Sequence, residues 1–389
     1  MTDSKEELDE LREAVREFLT AKSPGSAVRA AMETEQRHDP AVWQQMARQL
    51  RLPGLALPSD YGGDGFGLTE LEVVLEEMGA ALLCSPFFAT VVLAAQALLA
   101  SADEAACARY LPGIAAGQTI ATLAAAEGNA SWDPAMVTAR AERVKRDGPG
   151  GTGGGSPPCT EEAGGGWALT GKKSFVIDGA IADLVLVVAR STAGPALFAV
   201  ERGAPGLRAE PMTTLDPTRA MAALTLDRVP AALIGAEGQG GRLMSQVLDL
   251  ACVALAAEQA GGARRCLEMS AGHARTRHQF GRPIGSFQAV KHKCADMLVR
   301  VELAEATARE AARLADEAAA GFPVAAATAH ICCSQAYMFA AAENIQVHGG
   351  IGFTWEHPAH LYFRRAKSSE LLFGGPAVYH ERLLDRLGI

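Results

Sequence analysis

The sequence predicts an α+β fold that is mostly α-helical, in which two helical domains flank a smaller domain of antiparallel β-strands. Of the 389 residues, 49% are apolar but only 6% are aromatic, a composition that favours closely packed helices with small side chains. Apolar residues recur at helical spacing in both terminal parts, whereas the middle part is divided into short β-branched segments. A chain of this length is expected to form two or three packed units.

Residues 1–118 are expected to form an N-terminal helical domain. Asp39 precedes a helical pattern at 40–50 that begins with proline, so the aspartate is predicted to cap this helix. A glycine-rich turn follows, and Thr69 and Glu72 then have the spacing of a capping box. The next helix is therefore predicted to start at this threonine.

Residues 119–235 are expected to form the middle β domain. Gly, Pro or Asp separate its predicted strands, which favours a compact antiparallel sheet or barrel. The strand segments are TIATLAAA, MVTARAERV, WALTGKKSFVI, LVLVVAR, PALFAVER and AALTLDRV. The stretch 147–166 is low in complexity and rich in glycine, so we expect a flexible loop there rather than a phosphate-binding turn.

Residues 236–389 are expected to form a C-terminal helical bundle. Long amphipathic patterns joined by short connections are typical of an antiparallel four-helix bundle. The predicted helices cover residues 239–275, 286–317, 323–347 and 359–372.

Charge and hydropathy exclude several classes of protein. The net charge is −9 and no block of Lys or Arg occurs, so no nucleic-acid surface is expected. The apolar stretch 87–100 is interrupted by Gln96 and is too short to span a bilayer, so we expect a buried helix and no membrane span. The acidic N-terminus resembles neither a signal nor a transit peptide. Eight cysteines without metal-site spacing are expected to be free thiols in a cytoplasmic enzyme, with no metal.

Three segments resemble the acyl-CoA dehydrogenase family. RTRHQFGRPIGSFQAVKHKCADM (275–297) resembles its R-x-x-FG-x-x-I-x-x-FQ signature, and ENIQVHGGIGFTWEHPAHLYFRRAK (343–367) resembles its Q-x-x-GG-x-G-[FY] segment. LPSDYGGDGFG resembles its P-x-x-x-GG-x-G turn. The order and spacing of all three fit one template over nearly the whole chain. The chain is thereby identified as a member of the family, of an actinobacterial type.

The resemblance implies FAD-dependent α,β-dehydrogenation of an acyl-CoA thioester. It also implies a dimer or tetramer with FAD at subunit interfaces, and an electron-transfer flavoprotein or similar acceptor. Arginine can bind diphosphate oxygens bidentately, and paired glycines let the backbone approach a cofactor closely. The FAD-binding positions carried over are Arg277, Phe280, Gln288, Gln346, Gly349 and Gly350.

The resemblance implies a carboxylate base, but both positions where the family places it lack one. Aligned through residues 364–367, the Glu that precedes a Gly in medium-chain-type enzymes is Phe373. In isovaleryl-type enzymes the base lies on an earlier helix and is followed by Arg; counted back from Arg277, the base position is Ala251 and the Arg position is Cys252. The identity of the base therefore remains open at the level of sequence.

The middle domain also departs from the family. The T-E-P-x-x-G-S-D segment has Ala126 at its first position, and the W-I-T strand that faces the flavin ends in Ile177, without the threonine hydroxyl. Three positions are expected to contact substrate. Ser131 lies in the first of these segments, Asp249 matches an acidic position near the CoA moiety, and Ala251 leaves room near the thioester.

Glu258 is the first candidate for a replacement base. It lies seven residues after Ala251, on the same helical face about 10 Å further along. Its surroundings are apolar, so an unpaired carboxylate there is costly unless it is used, and its pKa would be raised. The alternative is an ion pair with Arg264 or with an arginine on another helix. Glu370, three residues before Phe373, is a second candidate, for which a solvated position is expected.

Three functional hypotheses follow. In the first hypothesis, the chain is a self-sufficient acyl-CoA dehydrogenase with an unusual base and a bulky acyl substrate such as a steroid side chain. Alternatively, it is a subunit of a heteromeric dehydrogenase that lacks its own complete base site. The third hypothesis is a non-catalytic scaffold with the same fold, since fold alone does not imply function. Flavin content distinguishes the scaffold from the two enzymes.

Overall fold

The computed structural model describes residues 2–128, 130–144 and 166–389. The predicted flexible loop at 147–166 lies outside these residues except for Gly166. The seven cysteines among the described residues are all free thiols.

The N-terminal part is helical, as predicted. Asp39 caps the third helix, and its Oδ1 accepts a hydrogen bond from the backbone N of Ala41 at 2.8 Å. The apolar stretch predicted to be a buried helix starts with a π-helical segment and continues into α5. The helices are α1 (Thr2–Lys22), α2 (Gly25–Glu33), α3 (Pro40–Gln49), α4 (Leu68–Ala80), the π-helical segment (Phe88–Ala94), α5 (Ala95–Ser101) and α6 (Glu104–Ala115).

The predicted capping box of α4 is wrong. Glu70, not Glu72, reaches back to the helix start and accepts from the backbone N of Gly67 at 2.8 Å. Thr69 lies inside the first turn, and its backbone N donates to Asp316 of the C-terminal part at 2.8 Å. The local pattern could not show this, because the capping aspartate is distant in sequence. Glu72 is left facing the interior, where it is 1% exposed.

The middle part is a small β-barrel. The pairings β4–β2–β3–β7–β5–β4 close a ring. Outside this ring, β1 pairs with β4 and β6 pairs with β7. The strands are β1 (Ala121–Ala124), β2 (Arg140–Arg143), β3 (Trp167–Ile177), β4 (Leu184–Ser191), β5 (Gly194–Glu201), β6 (Leu207–Pro211) and β7 (Met221–Ile234). The barrel is confirmed, but β1 and β2 run parallel to β4 rather than antiparallel. Long connections separate these pairs in sequence, and parallel pairing requires them.

The C-terminal part contains the four predicted helices and one more. A short hairpin, β8 (His278–Gln279) and β9 (Arg282–Pro283), joins the first two helices. The fifth helix, which the sequence analysis did not predict, packs against the third. The helices are α7 (Gly240–Thr276), α8 (Gln288–Asp316), α9 (Phe322–His348), α10 (Ala359–Leu371) and α11 (Pro376–Leu387).

Helix α7 lies at the centre of the molecule. It packs against α4 of the N-terminal part and against α8 and α9 of the bundle. Its length and apolar composition would suffice to cross a membrane, but 83% of its most apolar window is buried inside the fold. Burial of this kind is typical of a core helix.

Candidate active site and cofactor surface

The first position of the expected base is occupied by an aromatic cluster. Phe373 follows α10 and is only 2% exposed. Its ring meets Trp132 edge-on at a centroid distance of 4.9 Å and stacks on Phe88 at 6.1 Å. The backbone of Phe373 is left-handed, with φ 67°, which costs a non-glycine residue about 1 kcal/mol or more. The packing of three aromatic rings offsets this strain, and no proton acceptor lies in the cluster.

The second position of the expected base is also closed. Ala251 and Cys252 on α7 are fully buried. The Sγ of Cys252 donates a hydrogen bond to the hydroxyl of Tyr379 on α11 at 2.8 Å, and burial raises the pKa of the thiol to about 12. The thiol therefore remains protonated, and α11 covers this part of α7.

Asp249, expected near the CoA moiety, lies under the same helix. Its Oδ1 accepts a hydrogen bond from Nη2 of Arg386 on α11 at 2.5 Å. Burial raises the pKa of the carboxyl, although Arg386 acts in the opposite direction. In this structure Asp249 fixes α11 onto α7 instead of facing an open cleft.

Glu258, the candidate base, is held in a buried ion-pair network. Its Oε1 accepts hydrogen bonds from Arg219, just before β7, and from Nη1 of Arg365 on α10, the latter at 2.6 Å. Arg365 also binds Oδ2 of Asp216 at 2.7 Å. This arrangement matches the ion-pair alternative, with partners other than Arg264. The roles of Arg219 and Arg365 were not predicted from the sequence, since neither arginine adjoins Glu258 in the chain.

The network gives Glu258 the wrong proton affinity for a base near neutral pH. Burial by itself disfavours the carboxylate, but the charges of Arg219 and Arg365 outweigh burial and lower the pKa of Glu258. The expectation of a raised pKa is therefore contradicted. A carboxylate that already accepts two guanidinium hydrogen bonds is a poor acceptor for a further proton.

The segment that resembles T-E-P-x-x-G-S-D, residues 126–133, is bonded to the barrel through Glu127. Glu127 accepts from Nζ of the buried Lys173 at 2.8 Å and from the backbone N of Thr138 at 3.0 Å. Although burial opposes ionisation, hydrogen bonds from Lys173, from the Thr138 side chain and from the backbone N of Ala139 lower the pKa of Glu127 to about 2. Ser131 accepts a hydrogen bond from the backbone N of Asp133 at 3.1 Å. Its role toward substrate remains a prediction.

The expected FAD-binding residues all lie on the surface. Phe280 is 91% exposed at the tip of the β8–β9 hairpin, with a left-handed backbone. Gly349 ends α9 with φ 64°, and neither it nor Gly350 has a heavy atom within 4 Å of an added Cβ. All six residues are exposed, and together they are named here the cofactor surface: Arg277, Phe280, Gln288, Gln346, Gly349 and Gly350.

The cofactor surface offers groups of the kind that a flavin dinucleotide requires. Among the residues that the structure describes, none forms a hydrogen bond or ion pair with the guanidinium of Arg277, so this group is available to a diphosphate. The bare backbone at Gly349 and Gly350 permits close approach. The ring of Phe280 meets Phe287 edge-on at a centroid distance of 6.1 Å and otherwise faces solvent.

Comparisons with known proteins give the same family over the whole chain. Family models described as acyl-CoA dehydrogenase N-terminal, middle and C-terminal domains match residues 5–118, 151–229 and 238–388. A curated relative, acyl-CoA dehydrogenase IpdE2 of Mycobacterium tuberculosis, is 35% identical over 97% of this chain and 96% of its own length. The chain belongs to the acyl-CoA dehydrogenase family. Members are FAD-dependent oxidoreductases that form oligomers.

Two solved structures, each named for a pair of proteins, are similar to this chain over nearly its full length. One is a variant of the Tcur3481-Tcur3483 steroid ACAD, with 32% identity, a TM-score of 0.84, and coverage of 99% of this chain and 98% of that chain. The other is the ChsE4-ChsE5 complex of Mycobacterium tuberculosis, with 30% identity, a TM-score of 0.84, and coverage of 98% and 97%. A second curated relative, FadE27 of Mycobacterium tuberculosis, is 33% identical over 88% of this chain and 86% of its own length.

Proposed function

We propose that this chain is one subunit of a heteromeric, FAD-dependent acyl-CoA dehydrogenase whose base is supplied by an unlike partner chain. The observation that carries the proposal is the aromatic cluster at Phe373, which replaces a carboxylate with buried rings. The other base position, Ala251, is fully buried, and the adjacent Cys252 is bonded to Tyr379. Two similar structures carry the names of two chains each, which supports an assembly of unlike subunits.

The reaction requires two transfers from the acyl thioester. A carboxylate removes the proton from the α-carbon, and hydrogen bonds to the thioester carbonyl stabilise the developing enolate. FAD, when bound, would supply the acceptor for the hydride of the β-carbon, and an electron-transfer flavoprotein or similar acceptor would take up the electrons. The alignment with a steroid ACAD supports a bulky acyl group as substrate.

This chain contributes the cofactor surface to the partner's FAD. Arg277 would hold the diphosphate, Gln288 and Gln346 would offer amide hydrogen bonds, and the bare backbone at Gly349 and Gly350 would let the cofactor approach closely. Phe280 would add an apolar contact. The chain therefore completes a flavin site that its partner cannot form alone.

The test compares the chain alone with its assembly. The chain is purified alone and after co-expression with an unlike acyl-CoA dehydrogenase of the same genome that retains a glutamate at the position of Phe373 or Ala251. FAD per protomer is measured, and bleaching of flavin absorbance is followed anaerobically with a panel of acyl-CoAs that includes steroid side-chain thioesters. We expect little flavin in the lone chain, and flavin that bleaches in the assembly.

Arg277→Gln supplies the site-specific control. In the assembly it is expected to lower flavin content severalfold, whereas Arg48→Gln, an exposed arginine on α3, leaves it unchanged. Stoichiometric flavin that bleaches in the lone chain would show a self-sufficient enzyme and overturn the proposal. An assembly that binds no flavin would show a scaffold.

A further inference from the structure

We propose that three stacked histidines at the cofactor surface take up a proton when FAD binds there. They are His273, His348 and His357, and they are named here the histidine stack. The ring centroids of His273 and His348 lie 4.3 Å apart, as do those of His348 and His357. The inference rests on the proposed function, because it requires the diphosphate of FAD to lie against this surface.

The histidine stack joins the two chain segments that offer groups to a diphosphate. His273 lies in the last turn of α7, and its backbone O accepts a hydrogen bond from the backbone N of Arg277 at 2.8 Å. His348 is the last residue of α9 and directly precedes the Gly349–Gly350 pair. The contact between the two rings therefore connects the ends of both helices, and an anion bound by both segments lies next to the stack.

The hydrogen bonds of the stack leave His273 able to accept a proton. Nδ1 of His348 donates to the backbone O of Asn344 at 2.8 Å, and Nδ1 of His357 accepts from the backbone N of Ala359 at 3.2 Å. The ring of His273 contacts His348 but forms no hydrogen bond or ion pair within the described part of the chain. A proton added to His273 thus breaks no existing hydrogen bond.

The surroundings of His273 oppose its protonation. Burial, then the charge of His348 and that of Arg277, lower the pKa of His273. Of these causes, the charge of Arg277 is the one that a bound diphosphate neutralises. Binding therefore raises the pKa of His273, and by thermodynamic linkage a proton on His273 strengthens binding by the same factor. The affinity for FAD is thus higher at mildly acidic pH.

Among the described residues, no carboxylate forms a hydrogen bond or an ion pair with a ring of the stack. Two carboxylates lie close to it in sequence, but Glu343 is paired with Lys293 of α8, and Glu356 is exposed. The charged or titratable groups that face the stack are cations or rings that become cations. They are Arg29 of α2, Arg277 after α7, and His360 with its neighbour Arg364 on α10. Burial, and then the charges of the other two stack histidines, of His360 and of Arg29, lower the pKa of His357 to about 4, so this ring stays neutral.

The first experiment needs no cofactor. The chain is labelled with ¹³C-histidine, the Cε1–H signal of His273 is assigned with His273→Gln, and its pKa is measured by NMR. Arg277→Gln removes the charge that the diphosphate would neutralise, and should raise the pKa of His273 by about half a pH unit. Arg48→Gln, at an exposed position on α3, should leave this pKa unchanged. An equal pKa of His273 in all three proteins would overturn the inference.

The second experiment counts the proton in the assembly that tests the proposed function. FAD is removed and titrated back by calorimetry at pH 6, in two buffers that differ in ionisation enthalpy. We expect proton uptake on binding, and an affinity for FAD that rises severalfold from pH 8 to pH 5.5. The diphosphate of FAD does not titrate in this range, so the pH dependence reports on the protein. His273→Gln should abolish the proton uptake, whereas His380→Gln, at an exposed position on α11, should retain it.

The outcomes separate this inference from the proposed function. FAD that binds without proton uptake, or with equal affinity at both pH values, overturns the inference alone. A loss of affinity in His273→Gln by the same factor at pH 8 and pH 5.5 also overturns it, because such a loss indicates a purely structural role. An assembly that binds no FAD at all overturns the proposed function and the inference together.

Discussion

At the scale of single residues, Glu258 shows how a carboxylate changes role with its neighbours. An apolar helical stretch favours a raised pKa and a base, because burial disfavours the charged form. Arg219 and Arg365 reach the same oxygen from two other elements and reverse the sign of the shift. Glu258 thus holds α7, the loop before β7, and α10 together.

Glu258→Gln tests this role. We expect the free energy of unfolding at pH 7 to fall by about 3–5 kcal/mol, because two buried guanidiniums lose their shared counter-charge. The folded-state pKa is lowered, so this stabilisation is present above the unfolded pKa near 4.5 and is lost as the pH falls through the folded value. Urea unfolding at pH 7 and at pH 3.5 should therefore show a smaller difference at the acidic pH.

The matched control for this variant is Glu317→Gln, which removes an exposed partner of Arg313. It should change stability by less than about 1 kcal/mol. An equal loss of unfolding free energy in both variants would mean that the buried Glu258 network stabilises the fold no more than an exposed ion pair does.

At the scale of secondary-structure elements, α11 decides whether the base region of α7 is accessible. Two contacts join it to α7, Asp249 with Arg386 and Cys252 with Tyr379, and it also packs against α9. No local pattern predicted this helix. It begins at Pro376, directly after Gly374 and Gly375, and a one-sided amphipathic helix of 12 residues needs a surface to pack against.

Tyr379→Ala is expected to expose Cys252. Removal of a fully buried ring costs about 3–5 kcal/mol and loosens α11. Labelling of Cys252 by N-ethylmaleimide, followed by mass spectrometry, should accelerate at least about tenfold, because the thiol reacts only when the helix opens. The half-buried Cys294 serves as the internal reference.

Val378→Ala is the control for α11, because Val378 is 49% exposed beside the buried tyrosine. Its Cys252 labelling rate should match that of the unmodified chain. Continued protection of Cys252 in Tyr379→Ala would show that another element covers the thiol.

At the scale of the whole molecule, a cluster of charges joins the N-terminal helices to the bundle. Glu76 on α4 pairs with Arg12 of α1 and with Arg264 of α7, and Glu305 of α8 lies 3.9 Å from Arg264. Glu72 lies in the same interface, and its buried Oε1 has no hydrogen-bond partner among the described residues. The interface therefore holds more carboxylate than its arginines bind.

This excess makes the stability of the chain depend on pH. Burial, and then the charge of Glu76, raise the pKa of Glu72 to about 8, although Arg12 and Arg309 lower it. The folded state thus binds a proton that the unfolded state releases above about pH 4.5, so stability falls as the pH rises from there to about 8. Glu72→Gln should be more stable than the unmodified chain at pH 8.5 and similar to it near pH 5.

Thermal unfolding between pH 5 and pH 8.5 measures this effect. Glu302→Gln, at an exposed position on α8, is the control, with a change of less than about 0.5 kcal/mol at either pH. If the melting temperature of Glu72→Gln changes with pH in parallel with that of the unmodified chain, the pH dependence does not come from Glu72.

Local patterns determined the elements of this protein. Asp39 before Pro40 predicted the cap that the structure shows, and the β-branched segments predicted six of the seven barrel strands. The helices of the bundle were predicted to within about two residues at most ends, since hydrophobic periodicity depends only on nearby residues. The cap of α4 was missed because Asp316 comes from another part of the chain.

The sequence by itself determined the fold class, the family and the absence of a carboxylate at the two base positions, Phe373 and Ala251, because motifs and residue identities are local properties. Only the tertiary structure decided what replaces them. The rings packed around Phe373, the cover formed by Tyr379 and the arginines at Glu258 come from elements far apart in sequence. Burial and charge at a site are set by such distant neighbours, so the pKa and the role of Glu258 could not be read from its own helix.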